Sequence, residues 1–174
     1  MATSTALMTV EEFRNLKDPP GVRLELHNGE VVEVGRPNHQ HWKIQKHLAA
    51  LFDAILGTSG EAGTEFAFRP RAEFDLRVAD VAWISKERIA TISLQDNLKG
   101  SPEIVVEVLP PSNTVREMVQ KRQLCFSAGC LEFWIVDADD KFVEVFRANG
   151  TVNVYGASER IPVGSSSIAV SEIF

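Results

Sequence analysis

The sequence predicts an α/β (α+β) protein whose mixed β-sheet is flanked by helices and carries extra β-hairpins. Its elements are predicted in the order αββαββ, then βαβ, then a terminal meander, an order typical of a mixed sheet with helices packed on it. The length of 174 residues suits a single domain over residues 1–174. Apolar residues make up 44% and charged residues 24%, which argues against a disordered or coiled-coil chain.

Three segments have the residue spacing of amphipathic helices. Apolar side chains recur at every third or fourth position, and a residue that can cap the first turn precedes each segment. Thr9 and Glu12 have capping-box spacing, as do Thr114 and Glu117, and Asn38 stands before the longest segment. The predicted helices are Thr9–Leu16, His39–Leu56 and Val115–Ala128.

Strands are predicted where apolar and β-branched residues alternate or run between turn residues. Asn28-Gly29 can supply the tight turn of a hairpin over Arg23 to Val34. The segment Glu103–Leu109 is the most apolar of the chain and is bounded by prolines, which predicts a strand buried on both faces. The other predicted strands are 65–69, 81–84, 131–136 and 141–147, with a last hairpin around Asn149-Gly150.

Composition excludes several classes of protein. The net charge of −6 argues against bulk attraction to nucleic acid, which normally needs a basic surface. No apolar run approaches the roughly 20 residues that span a bilayer, so no membrane partner is expected. The start of the chain lacks the pattern of a secretory signal, and Cys125 and Cys130 are too few for a disulfide framework or a zinc cluster. We therefore expect a cytoplasmic protein.

Glu107 departs most clearly from its local pattern. It lies in the middle of the most apolar predicted strand, on the same face as Val105 and Leu109. A buried carboxylate without a partner costs several kcal/mol or becomes protonated, so a cation is expected to face it. The residue alone leaves two interpretations open, a structural salt bridge to an arginine and a metal ligand.

Asp80 and Lys121 are the candidate partners of Glu107. Asp80 opens a predicted strand, where an aspartate is often only a turn residue. Neighbouring strands lie about 4.8 Å apart, however, so Asp80 and Glu107 could share a hard cation such as Mg²⁺. Lys121 lies on the helical stripe of Met118 and Cys125. A lysine there often extends along the apolar surface to solvent, but its ammonium could also approach the two acids.

Other polar residues carry weaker predictions. Glu25 and Glu30 flank a hairpin turn and are expected to be solvated, and His41 lies on the inward face of the long helix, where a histidine is more often structural than catalytic. A group of basic residues could form a DNA-facing rim or only a solvated edge: Arg69, Arg71, Arg77, Lys86 and Arg88.

The order of an aspartate at the start of a strand, a glutamate inside an apolar strand and then a lysine resembles the PD-(D/E)XK nuclease superfamily. The chain resembles more closely a bacterial family described as putative restriction endonucleases, the Uma-two (Uma2) family. The resemblance runs from about Leu24 to Arg147. It is carried by Leu24-Glu25-Leu26, Gly29-Glu30, His41, Ala79-Asp80-Val81-Ala82, Val106-Glu107-Val108-Leu109-Pro110-Pro111-Ser112, Lys121 with Cys125, and Glu132-Phe133-Trp134-Ile135-Val136-Asp137.

The resemblance implies a restriction-endonuclease-like core with a magnesium-dependent phosphodiesterase site, in which Mn²⁺ can substitute. Asp80, Glu107 and a backbone carbonyl near Val108 would hold the metal. The superfamily lysine usually stands two residues after the glutamate, where this chain has Leu109, and Lys121 matches the position to which the Uma2 pattern moves it.

Glu30 and His41 match further positions of the Uma2 pattern, and the resemblance implies that they belong to the catalytic set. The chain departs from the pattern at three positions. Ala79 replaces a proline, Pro110 replaces a serine and Cys125 replaces a tyrosine, and none of these changes removes a charged group of the implied site.

The sequence therefore predicts a metal-dependent DNA endonuclease. Two alternatives stay open: a catalytically silent nuclease fold kept for binding or assembly, and a metal-dependent hydrolase of another phosphoester. Two symmetric cuts would need a homodimer, and the meander from Lys141 to Tyr155 offers a strand edge for pairing.

Overall fold

The computed structural model describes residues 7–109 and 115–174. Its elements in chain order are α1 (Val10–Phe13), β1 (Val22–His27), β2 (Glu30–Gly35), α2 (His39–Leu56), β3 (Gly60–Arg69), β4 (Arg77–Ser85), α3 (Lys86–Ile89), β5 (Leu98–Lys99), β6 (Ile104–Val108), α4 (Val115–Ser127), β7 (Glu132–Asp137), β8 (Phe142–Arg147), β9 (Val152–Gly156), β10 (Arg160–Val163), β11 (Ser166–Ala169) and a 3-10 turn (Val170–Glu172).

A seven-stranded mixed sheet forms the centre of the molecule, in the order β5-β3-β4-β6-β7-β8-β9. The pairs β3–β5 and β6–β7 are parallel, and the other neighbours are antiparallel. β1–β2 and β10–β11 form separate two-stranded hairpins. The predicted mixed sheet with extra hairpins is therefore confirmed.

Helices α2 and α4 belong to two different hydrophobic clusters of the sheet. Phe52 of α2 packs edge-on against Trp134 of β7, with ring centroids 5.2 Å apart. Met118 and Cys125 of α4 join the cluster of Phe133, whose neighbours along β7 alternate between the two clusters. Because successive side chains of a strand point to opposite faces, the two helices cover opposite faces of the sheet.

Most predicted elements are confirmed, and the differences lie at their ends. α2 has the predicted bounds, whereas α1 ends at Phe13 and not at Leu16. Strand β3 begins five residues before the predicted Glu65, because its glycine- and alanine-rich start pairs with β4 despite low strand propensity. The predicted capping pair Thr114–Glu117 lies partly outside the described residues, whereas the capping box of Thr9 and Glu12 is present.

Helices in the described ranges are all too short or too polar to cross a lipid bilayer. The sequence-based predictions missed five short elements: α3, β5, β10, β11 and the 3-10 turn. Each has only two to four residues, too few for a periodic pattern.

Asn38 caps the helix that forms one wall of the site described below. Its Oδ1 accepts a hydrogen bond of 2.9 Å from the backbone N–H of His41. We expect Asn38→Ala to lower the free energy of unfolding by about 1 kcal/mol, because the backbone N–H of His41 loses its hydrogen-bond acceptor. Urea unfolding measures this, with Gln40→Ala in the same turn as the control. Equal stability of the two variants would contradict the capping role.

Candidate active site

Asp80 and Glu107 meet where strands β4 and β6 run side by side. Val81 pairs with Val106 as the last pair of this antiparallel ladder, and Asp80 and Glu107 are the next residues at this end of the two strands. Both side chains line the same cleft. The backbone N–H of Val108 donates a hydrogen bond of 2.7 Å to Oδ2 of Asp80, which holds the two strand ends together. The register thus brings the two sequence-predicted acids side by side.

Lys121 reaches Glu107 from helix α4. Its Nζ lies 2.7 Å from Oε2 of Glu107 and donates a second hydrogen bond of 2.7 Å to the carbonyl of Val78. Both side chains of the pair are buried, with exposed fractions of 6% for Glu107 and 7% for Lys121. The lysine therefore points inward and not to solvent. The second carboxylate oxygen of Glu107, Oε1, is buried without a hydrogen-bond partner among the described residues.

Burial controls the ionisation of this pair. It raises the pKa of Glu107 to about 7, with Asp80 and Glu25 adding repulsion and the Lys121 charge opposing the rise. Burial alone would lower the pKa of Lys121, but the carboxylates of Glu107 and Glu25 outweigh it and raise that pKa. The ammonium is thus firmly charged at neutral pH, whereas Glu107 gains or loses its proton easily.

Two side chains of α2 contact Asp80. Nε2 of His41 lies 3.0 Å from Oδ2, and the amide nitrogen of Gln45 donates a hydrogen bond of 3.1 Å to Oδ1. Burial lowers the pKa of His41, but Asp80, together with the charges of Glu65 and Glu107, outweighs it and raises that pKa. His41 is therefore a cleft residue that favours its charged form beside an acid.

Glu25 corrects a prediction, because it was expected to be solvated and is buried, with 3% exposed. Its carboxylate contacts Arg23 at 3.1 Å, His27 at 3.0 Å and Arg77 at 3.3 Å. Burial would raise its pKa, but His27, Lys121 and the two arginines lower it to about 2. The prediction was wrong because both faces of β1 are used: Leu26 packs in the core and Glu25 faces the cleft.

These residues line one cleft of about 1110 Å³. It lies between the β1–β2 hairpin, the start of α2, the neighbouring ends of β4 and β6, and α4. The lining includes acids, bases and polar groups on all of these elements. Those that carry the argument are Glu25, His41, Glu65, Asp80, Glu107 and Lys121.

Comparison with known proteins identifies the family of this chain. The model of the Uma2 family, described as "Putative restriction endonuclease", matches residues 10–170. The chain belongs to the Uma2 family. The resemblance predicted from the sequence motifs is thereby confirmed.

The fold of this Uma2 protein is similar to a crystal structure described as a putative nuclease belonging to DUF820 from Anabaena variabilis. The TM-score is 0.79 and the sequence identity is 18%, over 96% of this chain and 97% of that chain. The likeness shows a shared fold over nearly the whole length of both proteins. A search of curated proteins found no match.

Glu30 is not brought to the cleft of this Uma2 protein. It is exposed at the start of β2, across the Asn28-Gly29 turn from β1, and the cleft lining does not include it. Of the two turn-flanking glutamates, the structure therefore brings Glu25 into the site and leaves Glu30 in solvent.

The basic residues between positions 69 and 88 do not form one rim. Arg71 and Arg77 line the cleft, whereas Arg69 is buried against Asp96 at 2.8 Å. Arg88 and the exposed Lys86 lie beyond the other end of β4. Neither a DNA-facing rim nor a solvated edge, the two interpretations that the sequence left open, describes all five residues, because they lie at both ends of a long strand.

Sequence reasoning also missed Arg23, Gln45 and Glu65. Gln45 could have been found, because it stands four residues after His41 on the apolar stripe of a helix, where an amide needs a partner. Nothing in the local sequence singles out Arg23 or Glu65, since their contacts depend on how the hairpin docks.

The donor set fits a single magnesium ion. Within the described ranges no three His, Cys, Asp or Glu side chains form a ready metal cage. Mg²⁺ commonly takes only one or two protein carboxylates and keeps several waters. Asp80 and Glu107 supply two carboxylates in one cleft, and the buried Oε1 of Glu107 is an oxygen without a partner among the described residues.

Proposed function

We propose that this Uma2 protein is a metal-dependent DNA endonuclease that hydrolyses phosphodiester bonds with Mg²⁺, for which Mn²⁺ can substitute. The family and the nuclease fold support nuclease activity. The observation that carries the finer proposal is the buried Glu107, whose Oε2 contacts Lys121 and whose Oε1 has no partner among the described residues.

Asp80, Glu107 and the backbone carbonyl of Val108 would hold the metal. Bound there, Mg²⁺ would neutralise a non-bridging phosphate oxygen and lower the pKa of a coordinated water. The Val108 N–H and the Gln45 amide already fix the Asp80 carboxylate from two sides. This part of the site needs little rearrangement to bind a cation.

Lys121 supplies a fixed positive charge for the proposed reaction. Two hydrogen-bonded contacts, to Val78 and Glu107, hold its ammonium in a buried position at the cleft. A fixed charge in a site that excludes water stabilises developing negative charge without reorganising. Lys121 would orient the attacking water or stabilise the phosphorane-like transition state, and His41 adds a second cationic group beside Asp80.

The charge balance of the cleft favours a divalent cation. Eight of the lining residues are acids, and seven are arginines, lysines or histidines, so the charges nearly offset each other. A phosphodiester would therefore meet little net positive charge. A bound cation of charge +2 at the acids would reverse this, which supports metal-dependent binding of DNA by a chain of net charge −6.

A homodimer is the proposed form for symmetric cleavage. β9 is an edge strand of the central sheet, and its Val152 and Val154 are about half exposed. An open edge with apolar side chains is a template for pairing with another chain. Sedimentation of the purified protein would test the dimer.

A cytoplasmic location is proposed from the two cysteines. Cys125 and Cys130 are free and buried, and burial raises the pKa of the Cys125 thiol to about 11. Such thiols are inert hydrophobic side chains, as expected for a protein of a reducing compartment.

Glu107→Gln tests the proposed function. We expect DNA cleavage to fall at least about 100-fold, because the amide keeps the shape of the side chain but removes a charged metal ligand. Nicking of supercoiled plasmid in Mg²⁺ and in Mn²⁺ measures the activity, and calorimetry measures Mn²⁺ binding. Glu61→Gln is the matched control, because Glu61 is exposed near the far end of β3.

Three results would contradict the proposal in different ways. A folded Glu107→Gln variant that cuts like the parent would show that this residue has another role. A parent protein that binds no Mn²⁺ at millimolar concentration would indicate a catalytically silent nuclease fold. If small phosphodiesters inhibit DNA cleavage and are themselves hydrolysed faster than DNA, the protein is a hydrolase of another phosphoester.

A further inference from the structure

Strand β3 is irregular at Glu65. The residues on either side of Glu65 pair with β4, but Glu65 and the Asp80 opposite it do not. Glu65 has a φ of +52°, and the other non-glycine residues with positive φ in the described ranges, Asn28 and Lys141, lie in hairpin turns. A left-handed conformation is unfavourable for glutamate inside a strand. The register with β4 is the same on both sides of Glu65, so no residue is inserted there. Strained backbone conformations of this kind occur most often at functional sites.

The side chain of Glu65 lies in the cleft and joins two elements. One carboxylate oxygen accepts a hydrogen bond from the guanidinium of Arg23 on β1, and the other accepts one from the amide of Gln45 on α2. Its side chain is 34% exposed, so it forms part of the cleft surface. Glu65 therefore connects the β1–β2 hairpin to the helix that contacts Asp80.

Gln45 is the shared partner of two carboxylates. It is fully buried, and its amide nitrogen donates to Glu65 and, at 3.1 Å, to Oδ1 of Asp80. Carboxylates only accept hydrogen bonds, so the nitrogen of the amide must face them. With Glu65 in place, the Gln45 side chain is held on both sides. Without it, the amide would be free to rotate away from Asp80.

We propose that Glu65 is a positioning residue of this site, which fixes the Asp80 carboxylate through the shared amide of Gln45 and ties the hairpin to it through Arg23. The consequence for metal affinity rests on the proposed function, whereas the positioning itself does not. This role explains why a strained glutamate stands where asparagine or glycine would fit the backbone better.

The backbone amide of Val108 is the reporter for this proposal. Its N–H donates to Oδ2 of Asp80 at 2.7 Å, so its ¹H–¹⁵N resonance in the metal-free protein responds to movement of that carboxylate. Glu65→Asn suits the positive φ but is too short to keep both contacts, and Gln45→Leu removes the bridge. Glu65→Gln keeps an acceptor for Gln45, and Glu61→Gln is an exposed control on the same strand.

We expect Glu65→Asn and Gln45→Leu to shift the Val108 resonance and to weaken Mn²⁺ binding about 10-fold, as loss of an outer-shell partner commonly does. In Glu65→Gln the Val108 resonance should stay close to that of the parent, and in Glu61→Gln it should not change. The double variant Glu65→Asn/Gln45→Leu should shift Val108 no further than Gln45→Leu alone, because both changes break one chain of contacts.

A folded Glu65→Asn variant with the parent Val108 resonance and Mn²⁺ affinity would overturn the proposal. If Glu65→Asn does not fold, an unchanged Val108 resonance in Gln45→Leu would overturn it instead. A parent protein that neither binds Mn²⁺ nor cleaves DNA would refute the proposed function, while the Val108 shift would still decide whether Glu65 positions Asp80.

Discussion

Lys121→Met is expected to reduce DNA cleavage by about 10²–10³-fold while the protein stays folded and still binds Mn²⁺. Methionine has nearly the length of lysine and suits the apolar stripe of Met118 and Cys125 on α4. The loss falls on catalysis, because the ammonium that Glu107 and Val78 hold at 2.7 Å is removed from the cleft.

The effect on Glu107 makes this variant informative. The Lys121 charge opposes the rise of the Glu107 pKa above its usual range, so its loss raises that pKa further. A neutral carboxyl is tolerated in an apolar site, which is why the variant should fold. The oxygen that Lys121 occupied also becomes available, but Glu107 must lose its proton before it can hold a metal ion. Mn²⁺ binding should therefore be weaker than in the parent at neutral pH and should recover as the pH rises.

Single-turnover cleavage and Mn²⁺ calorimetry on the same samples separate the two roles of Lys121. Lys46→Met is the matched control, because Lys46 lies on the exposed side of α2. A Lys121→Met variant that cleaves at the parent rate would show that the lysine serves only as the structural counter-ion of Glu107.

The centre of the candidate site could be predicted from the sequence because its charged residues stand in apolar sequence patterns. A glutamate inside a run of β-branched residues requires a cation, and a lysine on an apolar helical stripe requires an anion. The strand order then limits where they can meet. The roles proposed for Asp80, Glu107 and Lys121 remain predictions, but the structure places the three side chains in one cleft, at neighbouring ends of β4 and β6.

The periphery of the site could not be predicted, because it depends on docking of the hairpin. Alternation in β1 correctly indicates that Leu26 faces the core, but it does not show what covers the other face. That face packs on β4, where Arg77 and the β3 residue Glu65 approach Arg23 and Glu25. Contacts between elements far apart in sequence leave no local pattern, so the sequence around Glu25 does not indicate that it is buried.

Glu25→Gln is expected to lower the free energy of unfolding by about 3 kcal/mol at neutral pH. The pKa of Glu25 falls from a usual 4.5 to about 2 in the folded protein, and each pKa unit corresponds to about 1.4 kcal/mol. A lowered folded-state pKa means that the native state favours the ionised form. Its stabilisation is therefore fully present above pH 4.5 and is lost as the pH falls toward 2.

Urea unfolding at pH 7 and at pH 3 measures this dependence. At pH 7 the variant leaves Arg23 and Arg77 without the carboxylate that they contact at 3.1 and 3.3 Å. At pH 3 the unfolded parent protonates Glu25, so the difference between parent and variant should shrink. Glu33→Gln, an exposed position on β2, should change stability by less than about 0.5 kcal/mol at either pH. Only the stabilisation by the charge of Glu25 depends on pH. If Glu25→Gln lowers the free energy of unfolding equally at both pH values, the shape of the side chain and not its charge is what stabilises the fold.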